Sequence, residues 1–348
     1  MVAADPAPVG IEPARVSAWM LEHVAEASPP FVFEPIVGGG SNLTFRVFDA
    51  DGHQWALRRP PVGPLLATAH DMGREVRIIS ALAPSPVAVP ACVAYCEDAA
   101  ITGAPFYVME FVEGLVLRNQ ASTVGMSRSD ADVATDSLVD TQIAFHTLDL
   151  EAYGLDTLAR HGDYVGRQLA RWRRQIEQGS TREQPLFFEL HERLVAHKPT
   201  ESAAPGLAHG DYRFDNVVLD ERFKVAAVLD WELCTIGDPV ADFAWSLEYW
   251  ANAGDPVSFL TDPPTRSDIF VDRAEVVARY RSRCGFELGD LSYYRVFSWW
   301  KQACIAEGAV ARQVRAARLD PKAKDPAGTA RHVDDLLEYA AAMAAGTL

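Results

Sequence analysis

The spacing of apolar residues divides the chain into a first third that is rich in strands and a remainder that is mostly helical. Apolar side chains recur every three or four positions over residues 12–27, which predicts a leading amphipathic helix. Strand-like patterns follow at 31–37, 43–48 and 53–58. The turn before the third of these segments contains Gly52, which can adopt the positive φ that a tight hairpin requires. The pattern therefore predicts a meander of antiparallel strands.

A helix and two more strands complete this part of the chain. The helix is predicted at 67–82, and the strands at 93–96 and 105–111. We therefore expect residues 31–111 to form a mostly antiparallel sheet with one helix packed against it.

Helical periods dominate after Glu113 and Gly114, where the pattern changes. Helices are predicted at 129–148, 164–178, 185–196, 239–250, 273–283, 292–317 and 327–344. One β-rich segment at 207–230 interrupts them. The chain is therefore predicted to have a small N-terminal lobe over 1–112 and a larger helical lobe over 113–348.

Composition and net charge indicate which classes of molecule the protein is not expected to bind. Of the 348 residues 49% are hydrophobic, and 32 basic against 48 acidic side chains give a net charge of −16. This is the composition of an ordinary globular protein, and its acidic surface disfavours nucleic acid and anionic membranes as partners. No apolar run reaches about 18 residues and the start of the chain does not resemble a signal peptide, so we expect a cytoplasmic protein. Five sparse cysteines favour reduced thiols over disulfides or a zinc site.

The most informative segment places polar residues in a loop between apolar strands. His209, Gly210 and Asp211 follow an apolar lead-in, and Asn216 comes five residues after the aspartate. Asp230 stands at the end of the second apolar strand after this loop, nineteen residues after Asp211. Phosphoryl transfer from ATP uses one Asp to accept the proton of the attacking hydroxyl, and an Asn oxygen with a second carboxylate to hold Mg²⁺. The segment therefore predicts an ATP- and Mg²⁺-dependent phosphotransfer site.

The alternative is that these residues only form turns, in which Asp and Asn are common. The complete order of loop, strand, hairpin and strand ending in Asp favours the functional interpretation. A second copy of the first four residues, at 161–164, provides an internal comparison, because no such strands follow it. We interpret that copy as a helix N-terminus capped by Asp163.

These residues resemble the aminoglycoside phosphotransferase superfamily, the small-molecule branch of the protein-kinase-like fold. The His-Gly-Asp sequence ending at Asp211, with Asn216, is similar to the catalytic loop, and Asp230 lies in a Leu-Asp-Trp-Glu sequence similar to the metal-binding segment. The resemblance implies a bilobal α+β fold with a small antiparallel-sheet lobe and a mostly helical lobe. It implies that Asp211 is the catalytic base and that His209 shapes the catalytic loop. Asn216 and Asp230 are the implied Mg²⁺ ligands, and Asp242 is similar to a residue of the helix that braces the loop.

The same resemblance gives two segments of the N-terminal lobe a role in holding ATP. Gly39, Gly40 and Ser41 lie where a glycine-rich lid would cover the phosphates, since glycine lets backbone N–H groups come close to them. A plain hairpin turn is the alternative. Glu110 and Val112 belong to a segment that resembles the hinge, whose backbone would bond the adenine. There the alternative is the end of a buried strand.

Arg58 is the clearest departure from the pattern of the superfamily. In kinases the corresponding strand carries a Lys that pairs with the ATP phosphates and with a helix Glu, for which Glu75 is the match here. Arg keeps the positive charge but differs in geometry. Arg59 is the alternative occupant, although alternation along the strand favours Arg58. The departure leaves a nucleotide-binding module without turnover as an alternative function.

A more detailed resemblance bears on the substrate that would accept the phosphate. Arg58, the 229–239 segment and the 164–172 segment resemble the phosphotransferase domains fused to some acyl-CoA dehydrogenases, which implies a hydroxyacyl acceptor. Aminoglycosides and other small alcohols remain alternatives, as does a binding protein that uses no nucleotide. Clustered tryptophans in the helical half could line the acceptor pocket, but core packing is the favoured interpretation. They are Trp231, Trp245, Trp250, Trp299 and Trp300.

Overall fold

A computed structural model describes most of the chain. The described residues are 8–36, 42–63, 71–158, 162–201, 204–252, 255–256, 262–319 and 325–348. Of the site residues predicted above, Gly39, Gly40 and Ser41 lie outside these ranges, and so does the first residue of the second motif copy.

The N-terminal part forms the predicted antiparallel sheet. Its strands are β1 (Val32–Pro35), β2 (Leu43–Phe48), β3 (Gln54–Arg59), β4 (Cys92–Cys96) and β5 (Phe106–Glu110). They lie in the order β1-β2-β3-β5-β4, and every neighbouring pair is antiparallel. The hairpin between β2 and β3 turns at a glycine with φ of +87°, as the sequence predicted.

The two faces of β3 pack against different layers. Trp55 and Leu57 join a small core with helix α1 (Pro13–His23), whereas Ala56 joins the main core of the molecule. Helix α2 (Met72–Leu82) packs on that second face, and the side chain of the preceding Asp caps it. The strand therefore presents alternate residues to the two layers, which decides where its two arginines point.

The short helix α3 (Ala99–Thr102) was not predicted. Its four residues are too few to show a helical period in the sequence. It begins at Asp98, whose side chain accepts a hydrogen bond from the backbone N–H of Ala100 at 2.8 Å.

The remainder of the chain is helical, with two small β-ladders. The helices are α4 (Arg128–His146), α5 (Tyr164–Gly179), α6 (Leu186–Ala196), α7 (Pro239–Leu247), α8 (Arg273–Arg283), α9 (Ser292–Leu319) and α10 (Ala327–Thr347). The ladders pair β6 (Gly206–Ala208) with β9 (Thr235–Gly237), and β7 (Val217–Leu219) with β8 (Val225–Val228). Asp163 caps α5 as predicted, accepting from Gly166 N at 3.3 Å.

Several predicted helix ends differ from the structure by two to four residues. The leading helix stops at His23 rather than 27, and α7 stops at Leu247 rather than 250, where a tight turn carries Glu248 to Trp250. The five tryptophans named above are at most 5% exposed and belong to the core, as favoured above. Among the described helices, none combines the length and the apolar character that crossing a bilayer would require.

Gly206, in β6, lies against the end of helix α4. A Cβ at this residue would lie 2.2 Å from the carbonyl oxygen of His146, at the end of α4. Because the backbone on both sides is packed, we expect Gly206→Ala to lower the free energy of unfolding by about 1–3 kcal/mol, which thermal or urea unfolding measures. Gly179→Ala is the matched control, since a Cβ there meets nothing within 4 Å and Ala favours the helix. An equal loss in both variants would contradict the steric explanation.

Candidate active site

A cleft of about 560 Å³ separates the sheet from the helical half. Arg58 and Glu75 line it from the sheet side. Asp211, Asn216 and Asp230 line it from the helical side. The structure thus brings together the three oxygen-bearing side chains that the sequence singled out, and opposite them it places Arg58, predicted to hold phosphate, with Glu75, predicted to pair with it.

The backbone of the loop before Asp211 is held by one buried carboxylate, that of Asp242 on α7. Its Oδ1 accepts from Gly210 N at 2.8 Å, and its Oδ2 accepts from His209 N at 3.2 Å. His146 on α4 contacts Oδ2 through Nε2 at 3.0 Å. Burial raises the pKa of Asp242, but the bonds from His146 and the loop outweigh burial, and the net pKa is lowered. The helix predicted to brace the loop therefore does so through Asp242.

His209 joins the loop to the segment that carries Asp230. Its Nδ1 accepts from Asp211 N at 3.2 Å, so that Nε2 carries the hydrogen and donates to Leu229 O at 2.9 Å. The ring is fully buried, and it is not among the described residues that line the cleft. Both nitrogens are used within the protein, so the geometry gives His209 a shaping role and no contact with a reacting group.

The carboxylate of Asp211 receives donors on both oxygens. Asn216 Nδ2 donates to its Oδ2 at 3.1 Å and to its main-chain oxygen at 2.8 Å. Arg213 Nη2 lies 3.3 Å from Oδ2, and the hydroxyl of Tyr249 donates to Oδ1 at 2.9 Å. Because the amide nitrogen of Asn216 faces Asp211, its amide oxygen is the atom it can offer to a metal.

Arg58 bridges the two carboxylates on either side of it. Its Nε lies 3.2 Å from Oε1 of Glu75, and its Nη2 bonds Oδ1 of Asp230. Arg59 points to the opposite face of the sheet, where it bonds main-chain oxygens of Pro60 at 2.9 Å and Thr102 at 2.7 Å. The register that places Arg58 at the cleft is therefore the one the structure adopts.

Burial raises the pKa of two carboxylates at the cleft. It raises the pKa of Glu75 to about 7, against the opposing charge of Arg58. It also raises the pKa of Asp215 to about 6, against the opposing charge of Arg213, whose Nε lies 2.9 Å from Oδ1 of Asp215. For both carboxylates the neighbouring guanidinium opposes the effect of burial on the pKa without cancelling it.

Asp230 stands at a sharp bend of the chain. It follows β8 with φ of +63°, in a region that residues other than glycine rarely adopt. Such conformations persist only where the surroundings enforce them, and they are concentrated at functional sites.

Glu110 and Val112, the predicted hinge residues, both line the cleft. The N–H of Glu110 donates to Ala91 O at 2.9 Å, which fixes the end of β5 against the segment before β4.

Sequence reasoning missed three residues of this site. Arg213 and Asp215 lie inside the motif itself, and their charges were a usable signal. Tyr249 lies 38 residues from Asp211, and no local pattern in the sequence connects the two.

The donor set fits a magnesium ion. An amide oxygen of Asn216 and a carboxylate of Asp230 line the same cleft, and hard oxygen donors are what Mg²⁺ prefers.

Comparison with known proteins gives consistent results. Residues 32–262 match the model of the phosphotransferase enzyme family. Acyl-CoA dehydrogenase family member 10 of Mus musculus is 35% identical over 281 residues, which cover 79% of this chain and 26% of that protein. The chain therefore spans about a quarter of that relative.

Solved structures share the fold over nearly the whole chain. A crystal structure from Ralstonia eutropha, described as a candidate aminoglycoside phosphotransferase, is 32% identical with a TM-score of 0.77, and 95% of this chain and 98% of that chain are covered. The ADP-bound structure of aminoglycoside phosphotransferase APH(2'')-Ib is 15% identical with a TM-score of 0.55, covering 96% and 99% of the two chains. This second likeness concerns the fold alone.

The buried carboxylate of Asp242 yields a prediction about stability and pH. Because its pKa is lowered on folding, its contribution is complete above its ordinary pKa near 4 and is lost as the pH falls through the lowered value. We expect Asp242→Asn to lower the free energy of unfolding by about 3 kcal/mol at pH 7 and by less below pH ~4. Urea unfolding between pH 7 and 3 measures both.

Asp140→Asn is the control. Asp140 pairs with Arg283 at 2.9 Å, but its side chain is 60% exposed, so we expect a loss below about 1 kcal/mol. A loss for Asp242→Asn that does not shrink in acid would contradict the role given to its charge.

Proposed function

The chain belongs to the phosphotransferase enzyme family, and from this premise we propose that it transfers the γ-phosphate of ATP to a hydroxyl of a small molecule in the presence of Mg²⁺. The observation that carries the proposal is the meeting of Asp211, Asn216 and Asp230 on one wall of the cleft, with Arg58 on the other. Such a set supplies the proton acceptor, the oxygen ligands and the phosphate-facing cation that phosphoryl transfer uses.

Each residue has a separate task in the proposed reaction. Asp211 orients the acceptor hydroxyl and takes its proton as the oxygen attacks the γ-phosphorus, whose bond to the β-phosphate oxygen breaks to release ADP. Asn216 and Asp230 would hold Mg²⁺, which neutralises charge on the phosphate oxygens when bound. Arg58 contributes positive charge from the sheet side, and its pairing with Glu75 keeps it at the cleft.

A hydroxyacyl compound is the acceptor class that we propose first. The support is the similarity to the relative named as an acyl-CoA dehydrogenase family member, of which this chain spans 26%. Aminoglycosides and other alcohols are the competing classes, because structures of that description share the fold.

A nucleotide-binding module without turnover is the second candidate function. The bond between Arg58 and Asp230 favours it, because the guanidinium engages the carboxylate that the first proposal gives to Mg²⁺. The two candidates differ in whether an acceptor is phosphorylated, which is directly measurable.

We expect the purified chain to phosphorylate at least one member of a panel of hydroxyacyl compounds, aminoglycosides, amino alcohols and sugars, with ATP and Mg²⁺. Asp211→Asn should reduce the rate by about 10²- to 10⁴-fold, because the hydroxyl proton loses its acceptor. The measurements are ADP release and the mass of the product.

Nucleotide binding provides the control for that panel. ATP with Mg²⁺ should raise the unfolding temperature of both the native chain and Asp211→Asn, since the substitution leaves the phosphate side of the cleft intact. Stabilisation without any phosphorylated product would establish the second candidate, and no stabilisation at all would overturn both.

Arg58→Lys tests how phosphate is held. We expect the KM for ATP to rise by about tenfold, because Lys keeps the charge but cannot bridge Glu75 and Asp230. Arg59→Lys is the matched control: this neighbour contacts main-chain oxygens on the other face, so its loss should reduce stability and leave the KM unchanged. Equal effects of both substitutions on the KM would contradict the assignment.

A further inference from the structure

The two oxygens of Asp211 are held by different parts of the molecule. The loop itself supplies Asn216 and Arg213, and both approach Oδ2, at 3.1 Å and 3.3 Å. Oδ1 accepts from the hydroxyl of Tyr249, which lies just beyond the end of α7, at 2.9 Å. Within the described residues, the side chain of Asp211 has no other hydrogen-bond donor from outside its loop.

Tyr249 is itself held rigidly. The residue is 4% exposed, its N–H donates to Ser246 O at 3.2 Å, and its carbonyl accepts from the hydroxyl of Thr265. The guanidinium of Arg213 lies 5.0 Å from the centre of its ring. Helix α7 therefore holds the loop twice, since Asp242 on that helix fixes the main chain while Tyr249 after it fixes the carboxylate.

The hydroxyl of Tyr249 can act only as a donor to an ionised Asp211. Burial first, and the charge of Asp211 second, raise its pKa well above the ordinary value, so that it stays protonated. No other side-chain hydrogen bond of this hydroxyl occurs in the part of the chain that the structure describes. Tyr293, which is also buried, donates instead to the main-chain oxygen of Leu194 at 2.8 Å.

We propose that Tyr249 is a positioning residue for phosphoryl transfer, and this inference rests on the proposed function. The torsion between Cβ and the carboxyl group of an aspartate has a broad minimum, so donors must fix its rotation. With Tyr249 on Oδ1 and the loop donors on Oδ2, the carboxylate keeps one orientation towards the acceptor hydroxyl.

Tyr249→Phe removes the hydroxyl and keeps the ring. We expect kcat to fall by about 10- to 100-fold with the KM for ATP unchanged, because misplacement of a reacting group costs rate and leaves nucleotide binding intact.

Tyr293→Phe is the matched control, because it removes a buried tyrosine hydroxyl that bonds a main-chain oxygen away from the cleft. We expect it to lower the unfolding temperature and to leave kcat unchanged. Each variant is assayed at the same interval below its own unfolding temperature. A double variant with Asp211→Asn should be no slower than Asp211→Asn alone, because Tyr249 acts through that carboxylate.

Carbon-13 NMR of aspartate-labelled protein gives a readout that needs no activity. The Asp211 carboxyl signal, assigned with Asp211→Asn, should change its chemical shift in Tyr249→Phe, which removes a donor from Oδ1, and stay unchanged in Tyr293→Phe. An unchanged chemical shift, or an unchanged kcat, in Tyr249→Phe would overturn the role of Tyr249 alone. A native chain that phosphorylates no acceptor would overturn the proposed function, and the positioning role with it.

Discussion

The buried carboxylate of Asp242 is the constraint on which the geometry of the site depends. A charge that is 2% exposed is costly unless donors surround it, and here the donors are two loop amides and the ring of His146. Because the buried carboxylate needs these donors, it fixes the two loop amides and so holds the loop in one place. The two ring nitrogens of His209 bond Asp211 N and Leu229 O. His209 thereby joins the fixed loop to the segment that contains Asp230.

Two arginines in the cleft each lie between a pair of carboxylates. Arg58 is placed between Glu75 and Asp230, and Arg213 between Asp211 and Asp215. Each guanidinium thus places positive charge between two carboxylates. The cleft is therefore rich in acidic oxygens, with four carboxylates around two guanidinium groups, which suits a site that is proposed to receive a cation together with a polyphosphate.

Much of the fold could be read from periodicity, because its elements are long and amphipathic. The strand Leu43–Phe48 and the helix Arg273–Arg283 have the predicted bounds, whereas α3 was missed because four residues carry no period. The end of α7 was placed three residues too far, since the apolar residues of the following turn are buried like those of the helix.

The sequence by itself determined which residues are proposed to carry the chemistry: Asp211, Asn216 and Asp230 stand in one short segment, whose order of loop and strands brings them together locally. Only the tertiary structure decided what holds them. Tyr249 reaches Asp211 across 38 residues, and Arg58 reaches Asp230 across 172, because separate elements pack around a common cleft. Such contacts cannot be predicted from the spacing of residues along the chain, because they arise from the packing of layers and not from the period of any one element.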